Sequence, residues 1–229
     1  DLTVMLAVDV SASMDFGTTT QTKRELAVEF AASAALLAAQ GGDRAGLIAY
    51  TDRVELFIPP KRGKRHVYNL LTALTTVKPK GKRTDIAAPA ELLIRALKTR
   101  STLFWVSDFT EACLEGGRLE AGLPALPALK ALSKRHELVP VVPTDRREQG
   151  LPAGAGLAGL IDPETGVEFL VDLSSPDFIK AFGSWRDEQD KGKKALFNSL
   201  KAEPVWLATG ASPVTALARY FHRHATRRR

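Results

Sequence analysis

The chain has one cysteine, Cys113, among 229 residues. A lone thiol excludes an internal disulfide framework and any multi-thiolate zinc site built within one chain, and it fits a reducing compartment. No apolar run approaches the roughly 20 residues that a membrane helix needs, and no basic leader precedes a cleavage site. The expectation is therefore a protein without a membrane segment in this chain, working in the cytoplasm. There is no internal repeat and no low-complexity segment. No Gly-x-Ser-x-Gly elbow occurs, which disfavours a serine hydrolase. Asp15-Phe16-Gly17 matches the magnesium-binding triplet of protein kinases, but no glycine-rich phosphate loop, strand lysine or His-Arg-Asp accompanies it. His66 and His136 have no acidic or cysteine neighbour at metal-ligand spacing.

What the chain does have is enough apolar content, 45%, to build a substantial core. Its formal charge of +6 favours acidic partners. The basic end around Arg219, His222, Arg223 and Arg227-Arg228-Arg229 has charge but no nucleic-acid reading motif, so no nucleic-acid partner is expected. The chain opens on an apolar strand without an initiator Met, which predicts a piece of a longer protein.

Strand and helix patterns alternate, and the strands are short continuous apolar runs of the kind buried on both faces of a parallel sheet. The predicted fold is α/β: a doubly wound, mostly parallel sheet with one antiparallel edge strand and a small surface hairpin, forming one domain over 1–229. Leu2 to Val8 reads as the first strand. Lys23 to Ala39 is an Ala-rich helix with Leu26, Phe30, Ala34 and Leu37 on one face. Ala45 to Tyr50 and Val54 to Ile58 form a hairpin that Pro59-Pro60 would end. Helices are expected at Arg65 to Thr76 and Asp85 to Lys98, and a strand at Leu103 to Asp108. A helix around Ala125 to Ser133 and a strand from Glu137 to Val142 follow. Pro143 to Gly159 shows little periodicity. Leu157 to Ile161 and Val167 to Val171 flank a turn signal, Asp162 to Gly166. A helix from Pro176 to Lys201, a strand from Val205 to Ala208 and a helix from Pro213 to His222 complete the pattern.

The chemistry lies at the strand ends. Asp9-Val10-Ser11-Ala12-Ser13 closes the first strand with one carboxylate and two hydroxyls. Asp108 closes a second parallel strand, and Thr84 precedes a helix on another loop. Groups at the carboxyl ends of parallel strands face a common crevice. Five oxygen donors, Asp9, Ser11, Ser13, Thr84 and Asp108, thus suit Mg²⁺, or alternatively Mn²⁺ or Ca²⁺, which favour oxygen ligands and retain waters. With few anionic ligands touching it, such an ion stays electron-poor and accepts a carboxylate from another molecule. Asp15, Phe16, Lys82, Arg83 and Asp85 would form the rim of that contact. Lys78, Lys80, Lys82 and Arg83 would steer an acidic partner if the loop rims the ion, or serve only as solvated charge. Thr84 could instead be a helix N-cap, a role that Asp85 could take over. Phe16 is either an interface anchor or a residue packed under its loop.

Asp9-x-Ser11-x-Ser13 with Thr84 and Asp108 resembles, in order and spacing, the metal-ion-dependent adhesion site of von Willebrand factor A domains. Val8 to Gly17, Gly42-Asp43-Arg44-Ala45-Gly46-Leu47, Phe57-Ile58-Pro59-Pro60 and Val106-Ser107-Asp108-Phe109 resemble more closely one bacterial branch, the domain of unknown function fifty-eight. Arg83 departs from the small residue that many A domains carry before the Thr. The resemblance implies a non-enzymatic interaction module, partnered by a MoxR-type AAA+ ATPase or its client, in co-chaperone-like protein assembly or metal insertion. A reading from another class is a Mg-dependent phosphoryl-transfer enzyme of the haloacid-dehalogenase type, which also places an Asp nucleophile after the first strand. That chemistry normally needs a second carboxylate two residues on, where this chain has Ser11.

Overall fold

The computed structural model describes residues 2–18, 20–110, 125–150, 156–161 and 166–227, without the side chains of 149 and 224–227. Cys113 and most of the 162–166 turn lie outside the described residues. A six-stranded sheet runs β3-β2-β1-β4-β5-β8, made of β1 (Thr3–Asp9), β2 (Arg44–Tyr50), β3 (Val54–Lys61), β4 (Thr102–Val106), β5 (Glu137–Thr144) and β8 (Val205–Ala208). Every pairing in it is parallel except β2 with β3. The helices are α1 (Lys23–Gln40), α2 (Lys64–Thr76), α3 (Ala87–Ala96), α4 (Ala125–Arg135), α5 (Arg146–Gln149), α6 (Pro176–Ser199) and α7 (Pro213–Arg227). A separate antiparallel pair, β6 (Leu157–Ile161) and β7 (Glu168–Asp172), forms the small hairpin.

All seven residues of β1 are buried, as a central strand covered on both faces requires. Its side chains alternate between two cores. Val4, Leu6 and Val8 join the layer containing Leu26, Phe30, Leu70 and Leu217, whereas Met5 and Ala7 join that of Leu93, Trp105, Leu129 and Phe197. On the second face the Trp105 indole N–H donates to the Tyr50 hydroxyl at 2.7 Å, so this large buried aromatic keeps a partner.

Helix α1 packs closely on the sheet because Ala27, Ala31, Ala34, Ala35 and Ala38 line its buried face. The predicted stripe is rotated at its end: Ala38 is buried and Leu37 faces outward. The helix starts at a capping box, with the Thr22 hydroxyl accepting from Glu25 N at 3.1 Å and the Glu25 carboxylate accepting from Thr22 N at 2.8 Å. That box fixes Lys23 and Arg24 in the first turn.

Strand β3 passes through Pro59 and Pro60 to Lys61 instead of ending at Ile58. It is an edge strand, and the register shifts between Ala45 and Leu47, where Pro59 and Pro60 together oppose Gly46, so a bulge accommodates two residues that lack an N–H. Gly46 sits opposite; a Cβ there would meet Met5 Sδ at 2.8 Å and Pro60 Cγ at 2.9 Å. The aperiodic Pro143 to Gly159 stretch contains the end of β5 and the short α5, whose position bears on the site.

Candidate functional site

Asp9 ends β1, and Ser107 and Asp108 immediately follow β4, its hydrogen-bonded neighbour. The two carboxylates are therefore brought to the same end of adjacent parallel strands. Asp9 is fully buried; its Oδ1 accepts from Ser11 N at 2.9 Å and its Oδ2 from the Ser107 hydroxyl at 2.8 Å. The Ser11 and Ser13 hydroxyls lie 3.2 Å apart, with Ser13 on the 3₁₀ turn Ala12–Asp15. The backbone at Val10 and Ser11 is clamped by Arg24, whose guanidinium donates to the Val10 carbonyl at 2.5 Å and the Ser11 carbonyl at 3.2 Å.

The Thr84 loop is bound to this turn by Ala12 N donating to the Lys82 carbonyl at 3.0 Å. Glu55 holds the loop from the other side: one carboxylate oxygen accepts from Lys80 N, Gly81 N and the Thr51 hydroxyl at 2.9, 2.8 and 2.7 Å. Asp85 N donates to the Thr51 carbonyl at 2.9 Å, and Asp85 Oδ1 accepts from Ala87 N at 2.7 Å at the start of α3. Neither Thr84 nor Asp85 is the N-cap, which is Ile86; the Asp85 side chain takes up the first N–H of the helix. Thr84 Oγ1 is left buried with no hydrogen-bond partner.

Asp108 is held differently. Its Oδ2 accepts from the Lys23 ammonium at 2.8 Å and its Oδ1 from Thr110 N at 3.2 Å. The next residue, Phe109, has φ +55°, a conformation that costs a non-glycine residue about 1 kcal/mol or more. It is retained by the Phe109 ring packing edge-on to Phe197 at 5.1 Å and by its N–H donating to the Ser107 hydroxyl at 3.1 Å. The backbone turn that aims Asp108 is therefore fixed by an aromatic contact with α6.

The two carboxylates titrate apart. Burial, then the negative charge of Asp108, raises Asp9 to about 6 against the hydrogen bonds from Ser11 and Ser107. Burial also pushes Asp108 upward, but the Lys23 charge and hydrogen bond outweigh it and bring the group down to about 2. Lys23 would be neutralised by its own burial, yet Asp108 and Glu148 more than compensate and it stays an ammonium.

At the rim, Phe16 is 38% exposed, with the Lys23 ammonium 6.0 Å from its ring centroid. Asp15 pairs with Arg24 at 2.8 Å. Lys82 and Arg83 are exposed. The residues that the sequence did not single out are Ser107, which orients Asp9, and Lys23 and Glu148, which hold Asp108. Ser107 stands inside the Val106-Ser107-Asp108 string, so a hydroxyl beside the second carboxylate was the available signal. Nothing in the pattern of an amphipathic helix marks its first lysine as buried.

The donor set suits a small hard cation. Hydroxyls outnumber carboxylates, in keeping with the fact that among the described residues no three His, Cys, Asp or Glu side chains cluster for metal binding. The partnerless Thr84 hydroxyl fits a donor to such a cation, because a buried oxygen without a partner costs about 1–3 kcal/mol. The arrangement lacks a carboxylate two residues after Asp9 to donate a proton, since that position is the buried Ser11.

A family model described as "Protein of unknown function DUF58" matches residues 1–192. The chain belongs to the DUF58 family. An uncharacterized protein of Mycobacterium tuberculosis is 32% identical to this DUF58 chain over 216 residues, covering 91% of it and 65% of the relative. The chain thus spans 65% of the length of the curated relatives it matches. Among solved structures, the conserved hypothetical protein BatB from Bacteroides thetaiotaomicron superposes with a TM-score of 0.62 at 15% identity, covering 99% of this chain and 100% of that one. An aerotolerance-related membrane protein from Bacteroides fragilis gives 0.54 at 16% identity, covering 95% and 96%. These likenesses are of fold, a mostly parallel α/β sheet flanked by helices with one antiparallel edge pair. Among the described residues no helix is long and apolar enough to cross a membrane.

Proposed function

We propose that this chain is a divalent-cation-dependent protein-interaction module of the cytoplasm. Asp9, Ser11, Ser13, Thr84 and Asp108 would hold Mg²⁺, or Mn²⁺ or Ca²⁺ in its place. Such an ion would supply an electron-poor coordination position able to accept a carboxylate from an acidic partner. The observation that carries the reading is the Thr84 hydroxyl, buried without a partner on a loop tied by hydrogen bonds to the Ser11–Ser13 turn. The resemblance of the motif to the adhesion site of von Willebrand factor A domains supports an interaction role. The resemblance in motif points to a MoxR-type AAA+ ATPase or its client as the partner, in protein assembly or metal insertion. Exposed Lys82 and Arg83 on the same loop suit an acidic surface.

Thermal unfolding in EDTA and in Mg²⁺, Mn²⁺ or Ca²⁺ tests the metal. An ion at 100 times its dissociation constant adds about 2.7 kcal/mol, roughly 5 to 10 °C for a chain of this size. The gain is expected to vanish in Asp9→Ala and to shrink in Ser11→Ala; an equal gain in Asp9→Ala overturns the site. Surface plasmon resonance of a purified MoxR-type ATPase over the immobilised chain tests the partner. Binding that EDTA leaves untouched overturns metal-dependent capture.

A further inference from the structure

Lys23 is only 1% exposed, yet it carries a charge into the interior. Its ammonium lies 2.8 Å from Asp108 Oδ2 and 2.6 Å from Glu148 Oε1. Glu148 is partly exposed and belongs to α5, where its other oxygen accepts from Asp145 N at 3.2 Å. Buried Asp145 in turn accepts from Thr18 N at 3.1 Å and from the Thr18 and Thr209 hydroxyls at 2.6 and 3.0 Å. Lys23 is thus locked from both sides, by a helix-capping box behind it and by this polar cluster in front.

We infer that Lys23 is an internal counter-cation that sets the strength of the metal site, an inference that rests on the metal reading above. With Asp9 ionised, Asp9 and Asp108 present two negative charges to an incoming ion. The ammonium cancels one of them and engages Asp108 Oδ2, while Oδ1 accepts from Thr110 N. A divalent ion therefore enters against the repulsion of a fixed positive charge and competes with it for Asp108. The site binds its metal weakly by itself, and a carboxylate brought by a partner restores the missing negative charge. Metal and acidic partner then bind together more favourably than either alone. Glu148 moderates the effect by sharing the ammonium.

Mn²⁺ binding, followed by loss of the free-ion electron paramagnetic resonance signal at mildly alkaline pH, tests this on the whole chain. Lys23→Met is expected to bind Mn²⁺ about tenfold more tightly or better, the scale of one unit charge removed from a few ångströms away. Lys23→Arg, which keeps the charge, is expected to stay within about threefold of wild type, a rescue that packing alone would not produce. Equal or weaker binding by Lys23→Met, with Asp9→Ala still abolishing binding, overturns the role of Lys23 and leaves the metal site standing. If Asp9→Ala binds Mn²⁺ as wild type does, the metal site itself falls and Lys23 with it. Should Lys23→Met fail to fold, Glu148→Gln decides: concentrating the ammonium on Asp108 is expected to weaken binding about threefold or more. Unchanged or tighter binding overturns the inference.

Discussion

Thr84→Val separates a metal ligand from a structural hydroxyl by the sign of its effect. Valine replaces the hydroxyl by a methyl group of similar volume, so the loop geometry set by Glu55, Asp85 and the Lys82 carbonyl is preserved. Without metal, Thr84 Oγ1 is buried and unpaired, and its removal relieves a desolvation cost of about 1–3 kcal/mol. For a chain of 229 residues each kcal/mol moves the midpoint by roughly 2–4 °C, so the variant is expected to melt about 2–12 °C above wild type in EDTA. In saturating Mg²⁺ the order reverses or the gap closes, because wild type gains the ligand that valine cannot supply. Calorimetric melting of both proteins in EDTA and in Mg²⁺ reads the crossing directly. A Thr84→Val protein that is less stable than wild type in EDTA would show that the hydroxyl has a structural partner. One that gains as much as wild type from Mg²⁺ would remove Thr84 from the site.

Asp9 gives a pH signature. Its folded-state value of about 6 lies above the ordinary 3.8, so the folded chain binds the proton more tightly. Metal-free stability must then fall as pH rises from about 4 to 6, by up to roughly 3 kcal/mol for a shift of this size. Urea unfolding in EDTA is expected to show this fall in wild type, a flat profile in Asp9→Asn, and a reduced fall when Mg²⁺ holds Asp9 ionised; identical profiles for the two proteins would refute the assignment. Gly81→Ala is expected to cost about 1–3 kcal/mol by overpacking, because the new Cβ would collide with the Thr51 hydroxyl and the Asp52 carboxylate. Since the displaced loop carries Thr84, the metal-dependent rise in melting temperature should shrink too, and an unaltered rise would show that Gly81 does not position it.

The parallel strands were legible because full burial on both faces writes itself as an unbroken apolar run, as in Val4 to Val8. The positions of Asp9 and Asp108 followed from strand ends alone, and the geometry brings them to one end of neighbouring strands. What escaped was tertiary in origin. Pro59-Pro60 reads as a strand stop, but a bulge opposite Gly46 on this edge strand accommodates two residues without an N–H. Leu37 and Ala38 exchange places relative to a simple helical stripe because alanines let the helix lie close. Lys23 is charged, and charged residues are buried only when paired; its partners Asp108 and Glu148 are 85 and 125 residues away. No local pattern encodes such a pairing.

The hydroxyl-rich donor set and the buried lysine answer the same electrostatic problem. Two buried carboxylates side by side repel each other and are each costly to desolvate, so a site made of carboxylates alone would strain the metal-free protein. Serine and threonine oxygens add ligands without adding charge. Lys23 neutralises Asp108, and Asp9, with its proton affinity raised, relieves part of the remaining cost by taking up a proton. On the proposed reading these side chains offset one another without an ion, so the site would not depend on it for folding and would be able to lose or regain it with the partner. Such behaviour would suit a reversible contact better than a permanent structural metal, whose removal would be expected to unfold the chain.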